Sequence, residues 1–317
     1  MNVRAYAPAS IGNFAAGFDL LGAALAPLDG SLLGDVVTVS PTDTPSFTVA
    51  GPYAGRVPAD PGSNLVPRTY DLYREALRPR GISCPPLAFH LEKNLPRSSG
   101  LGSSASSVAA TLAACQALLG DPLDADELLV VAGQAEALVS GAAHLDNVLP
   151  SLRGGLQLLV PQKNGAPEAR CLPWPDDLVL IMVSPFFELS TEQSRRVLPT
   201  ALPLKDALAF AQNLAGLVYA LETGDRETLG RCLRDVLAEP HRAPLIPGFR
   251  AAQAGALAAG ALGCTLSGSG PTLFAVAGSE ETAPAVGQAI RDAFAEVGLD
   301  STVRLCGIAT SGARVLS

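Results

Sequence analysis

The sequence predicts an α+β fold, because strand and helix patterns are mixed along the chain without regular alternation. Residues 35–39 and 46–50 alternate between apolar and polar side chains, which is typical of consecutive strands, whereas 204–222 and 226–236 are consecutive helical stretches. Hydrophobic residues make up 48% of the 317 residues and charged residues 16%, as in a well-packed soluble enzyme. The pattern therefore favours mixed layers over a doubly wound parallel sheet.

The first half of the chain begins with a short strand at 3–7 and an irregular loop at 8–22, whose glycines, Asn and Asp break any periodicity. Further strands are predicted at 35–39, 46–50, 87–91 and 156–161, the first two of them antiparallel. Helices are predicted at 64–77, 108–119 and 124–139, and Gly120 is a natural stop for the second. The Asp-Asn pair before Pro150 is, by itself, a turn signal.

The second half begins after a linker predicted at 162–175, where Asn, Gly and three prolines occur, so we divide the chain into domains at 1–165 and 175–317. Strands are predicted at 178–183, after a Gly-Ser turn within 263–276, and at 301–311; helices are predicted at 204–222, 226–236, 250–260 and 282–297. The three prolines of 239–249 predict a stiff loop that carries Arg242.

Composition argues against several classes of function. The formal net charge of −8 disfavours a nucleic-acid partner. The six cysteines include no C-x-x-C pair, which indicates free thiols in a reducing compartment and disfavours a disulfide framework or a zinc site. The N-terminus lacks an apolar signal core, and no uncharged apolar run approaches the roughly 18 residues that span a bilayer. We therefore expect a cytoplasmic protein with no membrane partner.

Residues 95–120 carry the strongest functional signal. A glycine- and serine-rich segment precedes a helix, and a glycine-rich backbone followed by a helix N-terminus offers unpaired N–H groups to a phosphate. On these features alone, a surface loop that caps an ordinary helix is an equally good interpretation. A Walker loop is excluded because no glycine is followed by lysine. The dinucleotide pattern that 100–105 fits is weak, since a helix instead of a second parallel strand follows Gly120.

Residues 96–105 resemble, without gaps, the phosphate-binding motif of the GHMP kinases, Pro-x-x-x-Gly-Leu-Gly-Ser-Ser-Ala. The resemblance implies an ATP-dependent kinase. The implied nucleotide contacts are Asn64, near the adenine, and Pro96, Arg97, Ser98, Ser99, Gly100, Leu101, Gly102, Ser103, Ser104 and Ser106. It also implies Mg²⁺ bound by Ser104 and Glu136, which suits an ion that takes few protein oxygens beside phosphate oxygens.

Residues 8–22, 144–155 and 239–249 are similar to segments of the homoserine kinases in this family, and 263–276 fits the family's third motif. The resemblance implies that Arg195 and Arg242 bind a substrate carboxylate. It implies that Asp19 and Asp146 pair with the ammonium group and that Asn13 and Asn147 contact the accepting hydroxyl. The implied activity is phosphorylation of L-homoserine to O-phospho-L-homoserine in threonine biosynthesis. The implied catalytic residues are Asn13, Ser104, Glu136 and Asn147.

The resemblance further implies a ribosomal-protein-S5-like N-terminal domain and a ferredoxin-like C-terminal domain. Family members are often dimers, which leaves a homodimer open. Mevalonate-type members place a carboxylate and a lysine at the reacting hydroxyl, and this chain shows no such pair, so we predict catalysis without a dedicated general base. Two alternatives stay open: a family kinase for another small alcohol, although the two arginines disfavour apolar or neutral-sugar substrates, and a non-catalytic ligand-binding regulator.

Overall fold

The computed structural model describes residues 2–161 and 168–316, so the first part of the predicted linker lies outside the described residues. The strands are β1 (Val3–Pro8), β2 (Ser10–Gly12), β3 (Leu21–Pro27), β4 (Gly34–Pro41), β5 (Ser46–Ala50), β6 (Leu87–Glu92), β7 (Leu156–Val160), β8 (Glu168–Leu172), β9 (Val179–Pro185), β10 (Gly263–Leu266), β11 (Leu273–Ala277), β12 (Ser301–Ile308) and β13 (Arg314–Val315). The helices are α1 (Leu65–Leu77), α2 (Ser103–Leu119), α3 (Ala125–Ser140), α4 (Leu145–Arg153), α5 (Thr191–Arg196), α6 (Leu204–Thr223), α7 (Arg226–Cys232), α8 (Glu239–Arg242), α9 (Phe249–Ala258) and α10 (Ala283–Glu296). The predicted α+β class is confirmed.

The strands form two sheets. The first has the order β13-β1-β4-β6-β5, and the second, of eight strands, runs β10-β11-β9-β12-β3-β7-β8 with β2 paired to β3. In the first sheet β6 is antiparallel to β4 and parallel to β5. The strands β4 and β5 therefore run antiparallel, as expected, but β6 lies between them.

Each sheet takes strands from both halves of the chain. In the second sheet β12 pairs with both β3 and β9, and in the first β13 pairs with β1. The division into domains at 1–165 and 175–317 stays a prediction. Strands from both ranges are hydrogen-bonded to each other in each of the two sheets.

The helix that follows the phosphate loop (residues 96–105) starts earlier than predicted, at Ser103 instead of residue 108. Serine competes with helical hydrogen bonds when its hydroxyl finds local backbone partners. Here Ser106 and Ser107 bond to groups on β1 and β4, and the local bond of Ser107 goes to Ser103 O one turn back, so the helix can include them. The first turn of α2 is therefore part of the loop that the sequence analysis identified.

Two expectations about chain segments with prolines are wrong. The predicted turn before Pro150 is the helix α4, which includes that proline, and Asp146 lies in its first turn. The predicted loop around Arg242 is the one-turn helix α8 followed by a 3-10 turn at Ala243–Leu245. Pro240 lies in the first turn of α8, where a missing N–H is not needed, whereas Pro150 lies inside α4. In addition, α7 ends at Cys232, not at residue 236.

Helices cover the sheets and orient their ends toward one place. Apolar residues of α1 and α2 pack on the first sheet, α3 packs against these two helices, and apolar residues of α9 and α10 pack on the second sheet. The start of α2, the end of α3, the starts of α4 and α5, and the turn between β10 and β11 thereby meet at one cavity. No helix in the described part of the chain is long and apolar enough to cross a membrane.

Candidate active site

The central cavity, with a volume of about 280 Å³, lies against the phosphate loop. It is lined by the predicted site residues Asn13, Arg97, Ser98, Ser99, Gly100, Gly102, Ser103, Ser104, Glu136, Asp146, Asn147, Arg195 and Arg242. It is also lined by residues to which the sequence analysis gave no role: Val139, His144, Ser190, Thr191, Glu192, Gly268 and Ser269. The fold thus brings residues from distant parts of the chain to one cavity.

Neighbouring elements hold the phosphate loop in place. Ser10 N donates to Leu101 O at 3.1 Å, and the hydroxyl of Ser267 donates to Gly100 O. At Gly100 φ is +82°, and a side chain there would overlap the Ser267 carbonyl, so this position requires glycine. The turn after β10 therefore packs directly beside the loop.

The N-terminus of α2 opens directly from this loop and has no side-chain cap. The first N–H groups of a helix have no earlier turn to accept them, and the helix dipole places partial positive charge there. By contrast, α3 and α5 begin with capping boxes formed by Asp124 and Ser190, which satisfy their first N–H groups. The start of α2 is therefore suited to bind an anion such as phosphate.

We expect Gly102→Ala to weaken nucleotide binding by about 10-fold or more, because a displaced loop loses its aligned N–H groups. Gly102 has φ +62°, and a Cβ there would overlap the hydroxyl of Ser10. The control is Gly120→Ala at the other end of α2, where φ is +78° and a Cβ meets nothing within 4 Å. Both variants should lose thermal stability, but only the first should lose affinity for an ATP analogue in calorimetry. Equal affinities would contradict this prediction.

Ser104 and Glu136 face each other at the edge of the loop. The Ser104 hydroxyl lies 3.3 Å and 3.1 Å from the two carboxylate oxygens of Glu136. Burial raises the pKa of Glu136 to about 7, opposed by the hydrogen bond from Ser104 and assisted by the charge of Asp146. A carboxyl group held near its titration point in a cavity is typical of a functional site.

This pair fits the magnesium ion that the sequence comparison implied. The donors are a hydroxyl and a carboxylate, both hard oxygens, and the hydroxyl belongs to the first turn of the helix whose N-terminus would bind phosphate. Among the described residues no group of three or more His, Cys, Asp or Glu residues is arranged as an all-protein metal site. Two protein oxygens suit Mg²⁺, which keeps water and phosphate oxygens as its other ligands.

Asp146 is buried at the start of α4, with 3% of its surface exposed. Its Oδ2 accepts a hydrogen bond from Asn13 N at 2.8 Å. Burial and the charge of Asp19 raise the pKa of Asp146 to about 6, against the effect of the Asn13 hydrogen bond. Among the described residues no cationic group pairs with this buried carboxylate, which is therefore suited to receive one from a ligand.

Asp19 does not line the cavity but bonds to Arg195, which does. Arg195 Nη2 donates to Asp19 Oδ1 at 3.1 Å, and His144 Nδ1 lies 3.6 Å from the same oxygen. Arg195 Nε is buried and has no hydrogen-bond partner among the described residues. Burial and the charge of Arg195 lower the pKa of His144, which favours its neutral form. The free Nε is a donor suited to an arriving anion.

Arg242 is almost entirely buried, with 1% of its surface exposed. Its Nε donates to Ser194 O at 3.2 Å and its Nη1 to Gly268 O at 3.0 Å, while its guanidinium lies 5.3 Å from the centre of the Phe18 ring. Arg242 thus ties α5 to the turn after β10 and still borders the cavity. Arg242 therefore has a role in the fold, and its contact with a substrate stays a prediction.

The two asparagines also bond within the protein. The side chain of Asn13 donates to Gly268 O at 3.1 Å and accepts from Asp19 N at 2.8 Å. Asn147 Oδ1 accepts from the hydroxyl of Ser10 at 3.0 Å. Both side chains line the cavity, so they fix its walls whatever they contact in a ligand.

Other predicted nucleotide contacts lie outside the central cavity. Ser106 is fully buried and bonds to Ala7 O and Asp35 N, so its hydroxyl serves the fold. Asn64 caps α1 and borders a smaller cavity of about 120 Å³, which Arg97 and Ser104 also line. Pro96 and Leu101 line another cavity, which Arg97 and Ser99 share with the central one. The smaller cavity adjoins the start of α2 through Ser103 and Ser104.

His144 and the start of α5 were missed as site residues in the sequence analysis. A single histidine in a sequence carries no indication of its neighbours in the fold. Ser190 caps α5 and at the same time lines the cavity. Only the fold shows that this cap faces the phosphate loop.

Two domain models of one protein family and several solved structures match this chain. Residues 64–155 match the model of the GHMP kinases N terminal domain, and residues 217–296 match that of the GHMP kinases C terminal domain. The structure of homoserine kinase from Cytophaga hutchinsonii is similar over 99% of this chain and 97% of that chain, with 36% identity and a TM-score of 0.90.

More distant structures share the fold. A putative homoserine kinase from Listeria monocytogenes is 24% identical over 99% of both chains, with a TM-score of 0.71. The L. major mevalonate kinase in complex with R-mevalonate is 18% identical over 97% of this chain and 96% of that chain, with a TM-score of 0.68. With both domain models matched and a relative 36% identical over nearly its full length, this chain belongs to the GHMP kinase family.

Proposed function

We propose that this protein transfers the γ-phosphoryl group of ATP to the side-chain hydroxyl of L-homoserine, in threonine biosynthesis. One observation carries the proposal: a single cavity of about 280 Å³ is bordered by an uncapped helix N-terminus and by a charged cluster of Asp146 and two arginines, one of which bonds to Asp19. The first suits a triphosphate, and the second suits a small zwitterion. The 36% identity to a homoserine kinase supports the same substrate.

The phosphate loop and the first turn of α2 would bind the triphosphate through backbone N–H groups, with the base in the smaller cavity beside Asn64. Ser104 and Glu136 would hold Mg²⁺, which, when bound, neutralises charge on the β- and γ-phosphates. Arg97 borders both cavities and would lie between the base and the phosphates. This chain's contribution to the nucleotide half is thus alignment and charge.

The substrate would bind through both of its charged groups. Arg195 and Arg242 would pair with the carboxylate, and Asp19 and Asp146 with the ammonium group. In the ligand-free protein Arg195 and Asp19 bond to each other at 3.1 Å. A zwitterion would replace that pair with one bond to each partner, so no charge is left unpaired.

In the transfer step, the substrate hydroxyl oxygen forms a bond to the γ-phosphorus while the bond from that phosphorus to the β–γ bridging oxygen breaks. The hydroxyl proton leaves to a phosphate oxygen or to water. Among the described residues no lysine lines the central cavity, which supports catalysis without the lysine–carboxylate pair of mevalonate-type members. Asn13 and Asn147 would orient the hydroxyl, and most of the acceleration would come from positioning.

A coupled assay of ADP release over a panel of small alcohols tests the proposal. L-Homoserine should be the best substrate, well ahead of mevalonate and galactose. A better substrate elsewhere in the panel would support a family kinase with another acceptor. ADP release with no panel member, by a protein that still binds MgATP, would favour a ligand-binding regulator.

Asp146→Asn should raise KM for homoserine by about 30-fold, the effect of losing one charge-assisted bond. Only the ionised form of Asp146 pairs with an ammonium group, and burial raises the pKa of this carboxyl to about 6. At saturating MgATP, kcat/KM of the unmodified protein should therefore fall as the pH drops through about 6, and the variant should lack this step. A drop in kcat of about 10⁴, with KM unchanged, would instead identify Asp146 as a general base.

A further inference from the structure

A buried ion pair between Asp35 on β4 and Lys93, just after β6, lies beneath the phosphate loop. The Asp35 side chain is fully buried and that of Lys93 is 3% exposed. The Lys93 ammonium donates to Asp35 Oδ2, to Ser103 O at 2.8 Å and to the hydroxyl of Ser107 at 3.0 Å. All three donors of the ammonium group are therefore used within the protein.

This ion pair is attached to both ends of the phosphate loop. On the entering side, Asp35 Oδ1 accepts from the backbone N–H groups of Asn94 at 2.9 Å and Leu95 at 3.1 Å. On the leaving side, Ser107 donates to Asp35 Oδ2 at 2.6 Å, in addition to the two bonds from Lys93. One carboxylate and one ammonium group thus fix the distance between the two chain segments that bound the loop.

The loop between those segments needs such support. Ser98, Gly100 and Gly102 all have positive φ, at 56°, 82° and 62°. A non-glycine residue in this region is strained and persists only when its surroundings hold it. Burying two charges is itself costly, and an apolar pair of similar size often stabilises a fold as well. Stability alone therefore does not account for this ion pair, and the two loop segments that it positions indicate its role.

Neither residue is placed to contact the reacting groups. Asp35 lines none of the cavities around the loop, and neither residue lines the central cavity. Lys93 borders the smaller cavity, but its ammonium group is bonded to the three acceptors named above. Any effect on catalysis must then pass through the loop and the first turn of α2.

We propose that Asp35 and Lys93 are positioning residues that hold both ends of the phosphate loop in its nucleotide-binding geometry. The proposal rests on the nucleotide role of the loop within the proposed function but not on homoserine as the substrate. It implies that two neutral residues at these positions can restore the stability of the fold without restoring the geometry of the loop.

The test compares Asp35→Asn, Lys93→Met and the double variant Asp35→Asn/Lys93→Met. Each single variant leaves one buried charge without its partner and should lose more thermal stability than the double variant. The double variant should fold, yet bind the non-hydrolysable analogue AMP-PNP with Mg²⁺ about 10-fold more weakly or worse, because misplaced N–H groups no longer align with the phosphates. Its kcat at saturating ATP should fall by about 10².

Tyr73→Phe is the matched control for general destabilisation. Tyr73 donates to Gln116 at the other end of α2, so the variant loses a buried hydrogen bond of the same helix without touching the loop. It should lose thermal stability and keep its affinity for AMP-PNP. A double variant with unchanged AMP-PNP affinity and kcat would overturn the positioning role.

The outcomes also separate this proposal from the proposed function. If homoserine is not phosphorylated but AMP-PNP binds, only the substrate assignment fails, and the comparison of affinities still decides the role of the ion pair. If the unmodified protein binds no nucleotide, both proposals are overturned.

Discussion

Glu136→Gln should lower kcat by about 10³-fold, which corresponds to about 4 kcal/mol of transition-state stabilisation from the metal. The substitution keeps the size of the side chain and an oxygen for the hydrogen bond from Ser104, but it removes the negative charge. Affinity for Mg²⁺, measured by calorimetry with AMP-PNP present, should fall in parallel. Glu296→Gln, an exposed glutamate at the end of α10, is the matched control and should change neither quantity. Retained activity in the Glu136 variant would rule out its proposed role.

The same variant should be more stable than the unmodified protein at alkaline pH without ligands. The pKa of Glu136 is raised by burial from 4.5 to about 7, so the folded state binds a proton that the unfolded state has already released between these values. Stability from this group is thus complete below about pH 4.5 and is lost as the pH rises through about 7. The difference reaches up to about 3 kcal/mol, as an upper estimate for a shift of this size.

Urea unfolding at about pH 5 and about pH 8 measures this difference. From the lower to the higher pH, the stability of the variant should rise relative to that of the unmodified protein. At the higher pH, excess MgATP should make the unmodified protein the more stable of the two, because a ligand that binds only the folded state stabilises it. A variant that is less stable than the unmodified protein at the higher pH would show that the carboxylate is not under strain. A buried carboxylate that lowers the stability of the fold when it ionises is typical of a functional site.

The sequence predicted the glycine-rich loop and the helix that follows it, because both depend on local features. Glycines with positive φ and the start of a helix are encoded within a few residues, and Gly100 and Gly102 both have the left-handed conformation that only glycine adopts freely. The first turn of α2 was missed, since serine in isolation favours caps and loops. Its acceptance there depends on partners such as Ala7 O and Asp35, which are distant in sequence.

Contacts between distant segments could not be predicted from residue patterns. Arg195 was predicted to bind a carboxylate, but nothing in the sequence indicates that it bonds Asp19 in the absence of substrate. Arg242 was expected on a stiff loop and instead lies on the one-turn helix α8, as a buried link between α5 and the turn after β10. In the same way β6 separates β4 from β5, because strand order depends on packing across the whole sheet.

Arg195→Gln should raise KM for L-homoserine by about 10²-fold or more, since a charge-assisted contact to the carboxylate would be lost in a largely desolvated site. The matched control is Arg196→Gln. Arg196 is the next residue of the same helix, but its side chain is 73% exposed and pairs with Glu192, one turn away. Surface pairs of that kind contribute little, so the control should keep its KM.

The substrate carboxylate can be removed in the same experiment by using 3-amino-1-propanol, which is homoserine without that group. The unmodified protein and the Arg196 variant should both prefer homoserine by about 10² or more in kcat/KM, and the Arg195 variant should lose most of that preference. A uniform loss of activity on both substrates would mean that Arg195 supports the cavity through Asp19 instead of recognising the carboxylate. Affinity for AMP-PNP should stay unchanged in both variants, because Arg195 belongs to the substrate half of the site.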